Sequence, residues 1–135
     1  MKKFDKSQRS TFPYWFWHWL AFNITAKRLG VWKFKYIFHD MEKPWLKLIW
    51  DYKKVQTWHR THNDHHLQYG KKIDLVEMAI DWECSRMTKT SCPLNARQEW
   101  ERVKNEYESE GTLASFMLAH PEMWDFENTL DKLGI

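Results

Sequence analysis

The chain has 135 residues, enough for one domain with a substantial core and too few for two ordinary ones. Its 10 Trp, 8 Phe and 5 Tyr carry much of a 43% hydrophobic fraction, which excludes a disordered chain and implies a core of large rings packed between helices. A formal charge of +3, from 21 basic and 18 acidic residues without a long run of one sign, does not by itself point to nucleic acid.

Cys84 and Cys92 form no CxxC pair, which excludes a disulfide framework and a Cys-rich zinc site and makes a reducing cytoplasm the simplest setting. The most apolar stretch, "YWFWHWLAFNI" from Tyr14 to Ile24, contains His18 and Asn23. It is shorter than the roughly 20 residues a membrane helix needs, so no membrane partner is expected. The basic amino terminus lacks a small-residue cleavage site, so no signal peptide is expected either.

With 4 Gly, 4 Pro and no Asn-Gly or Asp-Gly hairpin signal, the chain reads as all-α. The expectation is one compact domain over 1–135, a bundle of about six to seven helices. The motif-bearing part lies in about 13–88 and further helices in about 95–133. Ser10 or Thr11 caps a first helix that takes Pro13 in its first turn and runs to about Gly30. On it His18, Phe22, Thr25 and Leu29 share a face. In "VWKFKYIFHD", Lys33 and Lys35 alternate with Trp32, Phe34 and Tyr36 at the strand period, but no partner strand is visible, which favours a short helix.

Pro44 is expected to start a helix, "PWLKLIWDYKK", that leads through Val55 into the histidine cluster. After Gly70, the residues Ile73, Val76, Ile80, Cys84 and Met87 fall on one narrow arc, predicting a helix with a clean apolar stripe flanked by Glu77 and Asp81. Asn95 with Gln98 has the capping-box pattern for "ARQEWERVKNEYESE", whose charged faces predict a solvent-exposed helix ended by Gly111. "TLASFMLAH" and "PEMWDFENTLDKL" supply two further short helices, the second started by Pro121, with His120 as a boundary residue.

The chemistry is concentrated in "WHRTHNDHH", positions 58–66, which holds His59, His62, His65 and His66. Imidazole and carboxylate together suit zinc, iron and manganese, and His18, the pair His39-Asp40 and Asp81 offer more of both from separate elements. On one continuous helix His59 and His66 would lie about 10 Å apart along the axis and could not share an ion. Asn63, which tolerates the left-handed conformation, is therefore expected to end the helix and let Asp64, His65 and His66 turn back.

The order His18, His39-Asp40, Asp81 resembles the HD superfamily of metal-dependent phosphohydrolases, in which an early His, the His-Asp dipeptide and a late Asp bind metal on a helical scaffold. "HDMEK", "HRTHNDHH" and "EMAIDW" are similar to the HD-x-S-K, H-x-x-x-N-x-H-H and E-M-x-x-D-W motifs of a small branch of bacterial and phage proteins, with Glu42 where that branch has Ser. The resemblance covers about residues 18–82. It implies that His18, His39, Asp40 and Asp81 ligate one ion and that His59, His65 and His66 ligate a second, with Asp40 bridging. Asp40 and Lys43 are the implied catalytic groups; Glu77 and Asn63 would steady the ligands, and His62, outside the pattern, would support them or face solvent.

The implied cofactor is one or two divalent ions, zinc, manganese or iron, and the implied substrate is a nucleotide or other small phosphorylated molecule. Two alternatives stay open. One is a two-iron oxygenase, because some HD proteins use a histidine-rich site to activate oxygen. The other is a metal-stapled helical domain without enzymatic activity, offering aromatic surface and Lys33, Lys35, Lys47, Lys53 and Lys54 to a partner such as nucleic acid.

Overall fold

In the computed structural model, which describes residues 1–70 and 72–135, Thr11 starts the first helix, α1 (Phe12–Arg28), by accepting a hydrogen bond from the Tyr14 amide. A 3-10 turn at Phe34–Phe38 follows where a short helix was expected, then α2 (Glu42–Leu46), α3 (Tyr52–His62) and α4 (Leu75–Thr88). The carboxyl-terminal part adds α5 (Ala96–Ser109), α6 (Leu113–Ala119), a 3-10 turn at Pro121–Asp125 and α7 (Phe126–Leu133). The protein is all-α, with seven helices among the described residues. The described residues form no strand, only a parallel bridge between Phe4 and Lys89 that ties the amino end to the end of α4. No helix among them is long and apolar enough to cross a membrane.

The α4 helix is the axis of the fold. Against α1 it buries Ile80 and Cys84 with Ala21, Phe22, Ala26 and Tyr36. On its other side Met78 and Ala79 meet a second cluster built from Trp100 of α5, Met117 of α6 and Phe126 and Leu130 of α7. Full burial of each such large side chain contributes about 1.5–3 kcal/mol. Packing on two sides corrects the expected single stripe: Glu77, Met78, Ala79, Ile80, Glu83, Cys84, Ser85 and Thr88 are all buried, Val76 and Met87 only partly, and Ile73 precedes the helix. The buried acids have partners, since Glu83 accepts the Ala96 amide at 2.9 Å and Glu77 faces His39.

The long helix expected from Pro44 through Val55 is two helices. Pro44 lies inside the first turn of α2, and the chain turns before Asp51 restarts it, its carboxylate accepting the Lys54 amide at 2.9 Å. Likewise Pro121 begins a 3-10 turn, and α7 starts at Phe126. The capping box at Asn95 and Gln98 is present, and α5 exposes most of its charged residues while Trp100 anchors it to the core.

Candidate metal centre

The site is assembled where α1, the His39-Asp40 corner, the end of α3 and the middle of α4 meet. Side chains of α1 hold the corner by its carbonyls: Asn23 Nδ2 donates to Tyr36 O at 3.1 Å, Trp19 Nε1 to Ile37 O at 2.7 Å and Trp15 Nε1 to Asp40 O at 2.8 Å. Asp40 itself has φ 55°, the one left-handed non-glycine residue among those described. Such a conformation costs of order 1–3 kcal/mol and persists only where the surroundings enforce it. Here it brings the neighbouring side chains of His39 and Asp40 into the same interior.

Around Asp40 and Asp81 the imidazoles converge. His18 Nε2 lies 3.0 Å from Asp81 Oδ1 and 3.4 Å from Asp40 Oδ2, while His39 Nε2 lies 3.3 Å from Asp81 Oδ1 and 3.5 Å from Asp40 Oδ1. On the other side of Asp40, Oδ1 is 3.0 Å from His59 Nε2 and 3.3 Å from His65 Nε2. Two sets each offer atoms within 4.8 Å of one another and could hold a metal ion: His18, His39, Asp40 and Asp81 in one, His59, His65 and His66 in the other. His39, His65 and Glu77 form a third grouping that overlaps both.

The imidazoles are oriented from behind. His39 Nδ1 faces Glu77 Oε1 at 3.4 Å and its ring stacks on Phe22, with centroids 3.6 Å apart. His59 Nδ1 bonds Glu42 Oε1, and Asn63 Nδ2 donates to the same oxygen at 3.1 Å. His18 Nδ1 lies 3.9 Å from the Cys84 thiol, and its ring stacks on Tyr14. With Nδ1 engaged, Nε2 is the nitrogen presented inward, the arrangement by which proteins fix the tautomer of a ligating histidine. The inward atoms His39 Nε2, His59 Nε2, His65 Nε2, Asp40 Oδ1 and Asp81 Oδ1 are fully buried and face one another at 3.0 to 3.5 Å without making a hydrogen bond. Buried polar atoms are ordinarily satisfied, so a convergent set of orphans fits a cation between them.

Without a metal, the imidazoles and Lys43 supply the positive charge that the aspartates face. Burial alone would raise both aspartates, yet His39, Lys43 and His59 hold the Asp40 carboxyl well below the usual range, and His18 and His39 do the same for Asp81. Burial opposes charge on His39 too, but Asp40, Asp81 and Glu77 push it up to about 10, and His59 is raised beside Asp40 and Glu42. His66 is pushed down to about 3, chiefly by burial, and so stays neutral. Lys43 Nζ sits 3.3 Å from Asp40 Oδ2, and the aspartates raise its pKa against the effect of burial.

Every ligand expected from the sequence, His18, His39, Asp40, His59, His65, His66 and Asp81, lies in this cluster, with Lys43 and Glu77 beside it. Asn63 ends α3 as expected but not by a left-handed turn. Its backbone is extended, and its amide reaches back to His59 O at 2.8 Å, which satisfies the helix end without positive φ. His62 faces solvent, its ring stacked on Trp58 at 4.3 Å and its Nδ1 donating to Trp58 O. Glu42 was missed as a functional residue; the signal was a carboxylate three residues after His39, inside the motif. Asp64, Asp74 and Glu77 form a further acidic group, but Lys35 Nζ lies 2.8 Å from Asp74 and supplies its cation.

Two cavities reach the cluster at different residues. One, of about 360 Å³, touches His18, Asp40 and Lys43. The other, of about 380 Å³, touches His65, His66 and Asp81 and is lined by Arg60, Gln68, Ser85 and Lys89. No protein-family model, no curated protein and no solved structure matches the chain.

Proposed function

We propose that the protein is a phosphohydrolase of the HD kind, using one or two divalent ions to cleave a small phosphate ester. The observation that carries the reading is the set of buried inward atoms, each imidazole of His39 and His59 tethered behind by a carboxylate and each Nε2 facing an aspartate without a hydrogen bond. His18, His39, Asp40 and Asp81 would hold one ion, and His59, His65 and His66 the other, with Asp40 between them. Neutral imidazoles with hard carboxylates favour zinc, manganese or iron. Bound there, such an ion lowers the pKa of a water and polarises phosphoryl oxygens.

The residues do the rest. Lys43, an ammonium held at Asp40, meets the negative charge that grows on the phosphoryl oxygens. Water oxygen bonds to phosphorus, the ester P–O bond breaks, and a proton passes to the departing alcohol. Free Cys84 and Cys92 favour a reducing, cytoplasmic setting.

The test is elemental analysis of the purified protein and of Asp40→Ala, followed by assay of the loaded protein on p-nitrophenyl phosphate. Bound metal, and hydrolysis that disappears in Asp40→Ala, are expected. Absence of metal after reconstitution, or hydrolysis that survives in both Asp40→Ala and His39→Ala, overturns the reading. The histidine-rich second set favours one other reading, a two-iron oxygenase. Oxygen uptake by the iron-loaded protein without phosphoester hydrolysis would select it.

A further inference from the structure

The cavity of about 360 Å³ differs in kind from the one on the His65 and His66 side. Its apolar wall is Phe12, Tyr14, Trp15, Pro44, Leu48 and Val55, and Phe12 and Leu48 are largely exposed. Three cations, Arg9, Lys43 and Lys47, line it against the single carboxylate of Asp40. Among the described residues neither Arg9 nor Lys47 pairs with a carboxylate; Arg9 Nη2 donates to Ser91 Oγ and reaches Cys92 Sγ, and Arg9 Nε is buried without a partner. An apolar wall with two cations that no carboxylate neutralises, opening onto Lys43 and Asp40, is complementary to an amphiphilic anion.

The lining also argues against a nucleobase. A base buried there needs donors and acceptors along its edge, and unmatched polar atoms lose affinity heavily. The cavity has no amide side chain; its Thr11 hydroxyl is already spent on the Tyr14 amide and Gln8 O, and Tyr52 Oη accepts from Gln56, which leaves single hydroxyls such as that of Ser10 rather than a paired donor and acceptor for a base edge. The other cavity, with Arg60, Gln68, Ser85 and Lys89, is the polar one, and the two share no lining residue.

We propose that the first cavity seats the apolar organic group of a small phosphate monoester, with the phosphate at Lys43 and the metal centre. This rests on the phosphohydrolase reading and narrows its substrate class. The apolar wall sets specificity by burying hydrocarbon, and the polar cavity is left to water and inorganic phosphate.

The experiment is calorimetric titration of the metal-loaded protein with alkylphosphonates from methyl to hexyl, with inorganic phosphate and with adenosine 5′-monophosphate. Each buried methylene is expected to tighten binding roughly three- to fourfold. Leu48→Asn, a neutral polar change on an exposed residue of the wall, should weaken hexylphosphonate severalfold more than methylphosphonate. A flat series, or adenosine 5′-monophosphate binding more tightly than hexylphosphonate, overturns the proposal. Hydrolysis of hexyl phosphate is assayed separately. Chain-length-dependent binding without turnover removes the phosphohydrolase reading and leaves the cavity assignment standing, whereas turnover of phosphate esters without chain-length preference does the reverse.

Discussion

Asp40 Oδ1 lies 3.0 Å from His59 Nε2, while the other oxygen of the same carboxylate lies 3.4 Å from His18 Nε2. One side chain therefore joins residues 41 positions apart in the chain: Asp40 belongs to one candidate ligand set, and its Oδ1 reaches His59 and His65 of the other. Removing it should empty both. Asp40→Ala is expected to lose all bound metal, whereas Asp81→Ala, which touches only His18 and His39, should lose the ion of that set and keep the other. Metal content per chain in the two variants, by mass spectrometry, checks the difference. Equal loss in both would mean a single ion.

The tethers behind the imidazoles make a second, graded expectation. Glu77 fixes His39 and Glu42 fixes His59. Removing such an outer partner typically costs 10–100-fold in metal affinity without removing a ligand. Glu42→Gln should weaken the ion at His59, His65 and His66, and Glu77→Gln chiefly the one at His39, each with the helical content intact. Competition against a chromophoric chelator, alongside circular dichroism, measures both.

Most of the fold was readable because it is written locally. Thr11 with Pro13 and Asn95 with Gln98 are caps whose partners lie within one turn. The candidate ligands were readable because their types and order are unusual. What stayed hidden depends on distant packing. The α4 helix is buried on both sides because α1 and the carboxyl-terminal helices close on it, which no periodicity within 75–88 announces. The break at Asp51 was open to reading as a cap but was masked by the apolar run before it. Glu42 gains its role only when α3 brings His59 alongside. The left-handed turn was placed at Asn63, the residue type that tolerates it, but it falls at Asp40, where Trp15 and Lys43 hold both ends of the residue.

Protons should leave when metal enters. In the metal-free protein His39 is pushed up to about 10 and so carries a proton at pH 7, His59 is raised in the same direction, and a ligating nitrogen must shed its own proton. Titration at pH 7 in buffers of different ionisation enthalpy should show at least about one proton released on full loading, with a smaller number as pH rises towards the His39 value. No buffer dependence would mean the imidazoles are already neutral.

The same shift sets the pH dependence of stability. A group whose folded pKa exceeds its ordinary value of about 6.5 stabilises the fold fully below that value and loses this contribution as pH rises through the folded pKa. The metal-free protein should therefore lose the His39 contribution between about pH 6.5 and 10, while His66, pushed down to about 3, destabilises it on the acid side instead. Metal binding needs the deprotonated nitrogen and strengthens over the same alkaline range. The gap in Tm between loaded and chelator-treated protein should widen from pH 6 to pH 9, and a gap that narrows would contradict the assignment of His39 as a ligand.

The left-handed corner permits a separation of strain from ligation. Asp40→Ala and Asp40→Gly both remove the carboxylate, but only glycine relieves φ 55°. A non-glycine residue in this region carries a cost of order 1 kcal/mol or more that glycine does not. Both variants should be equally free of metal, and Asp40→Gly should unfold at the higher denaturant concentration, by about 1 kcal/mol relative to Asp40→Ala. The effect of removing the buried charge cannot be read from either variant alone, because His39, His59 and Lys43 lose their counter-ion in both. The difference between them cancels that shared loss and leaves the backbone term. Equal stability would mean that the corner relaxes once the carboxylate is gone, so that the side chain, held among the imidazoles and Lys43, imposes the left-handed turn.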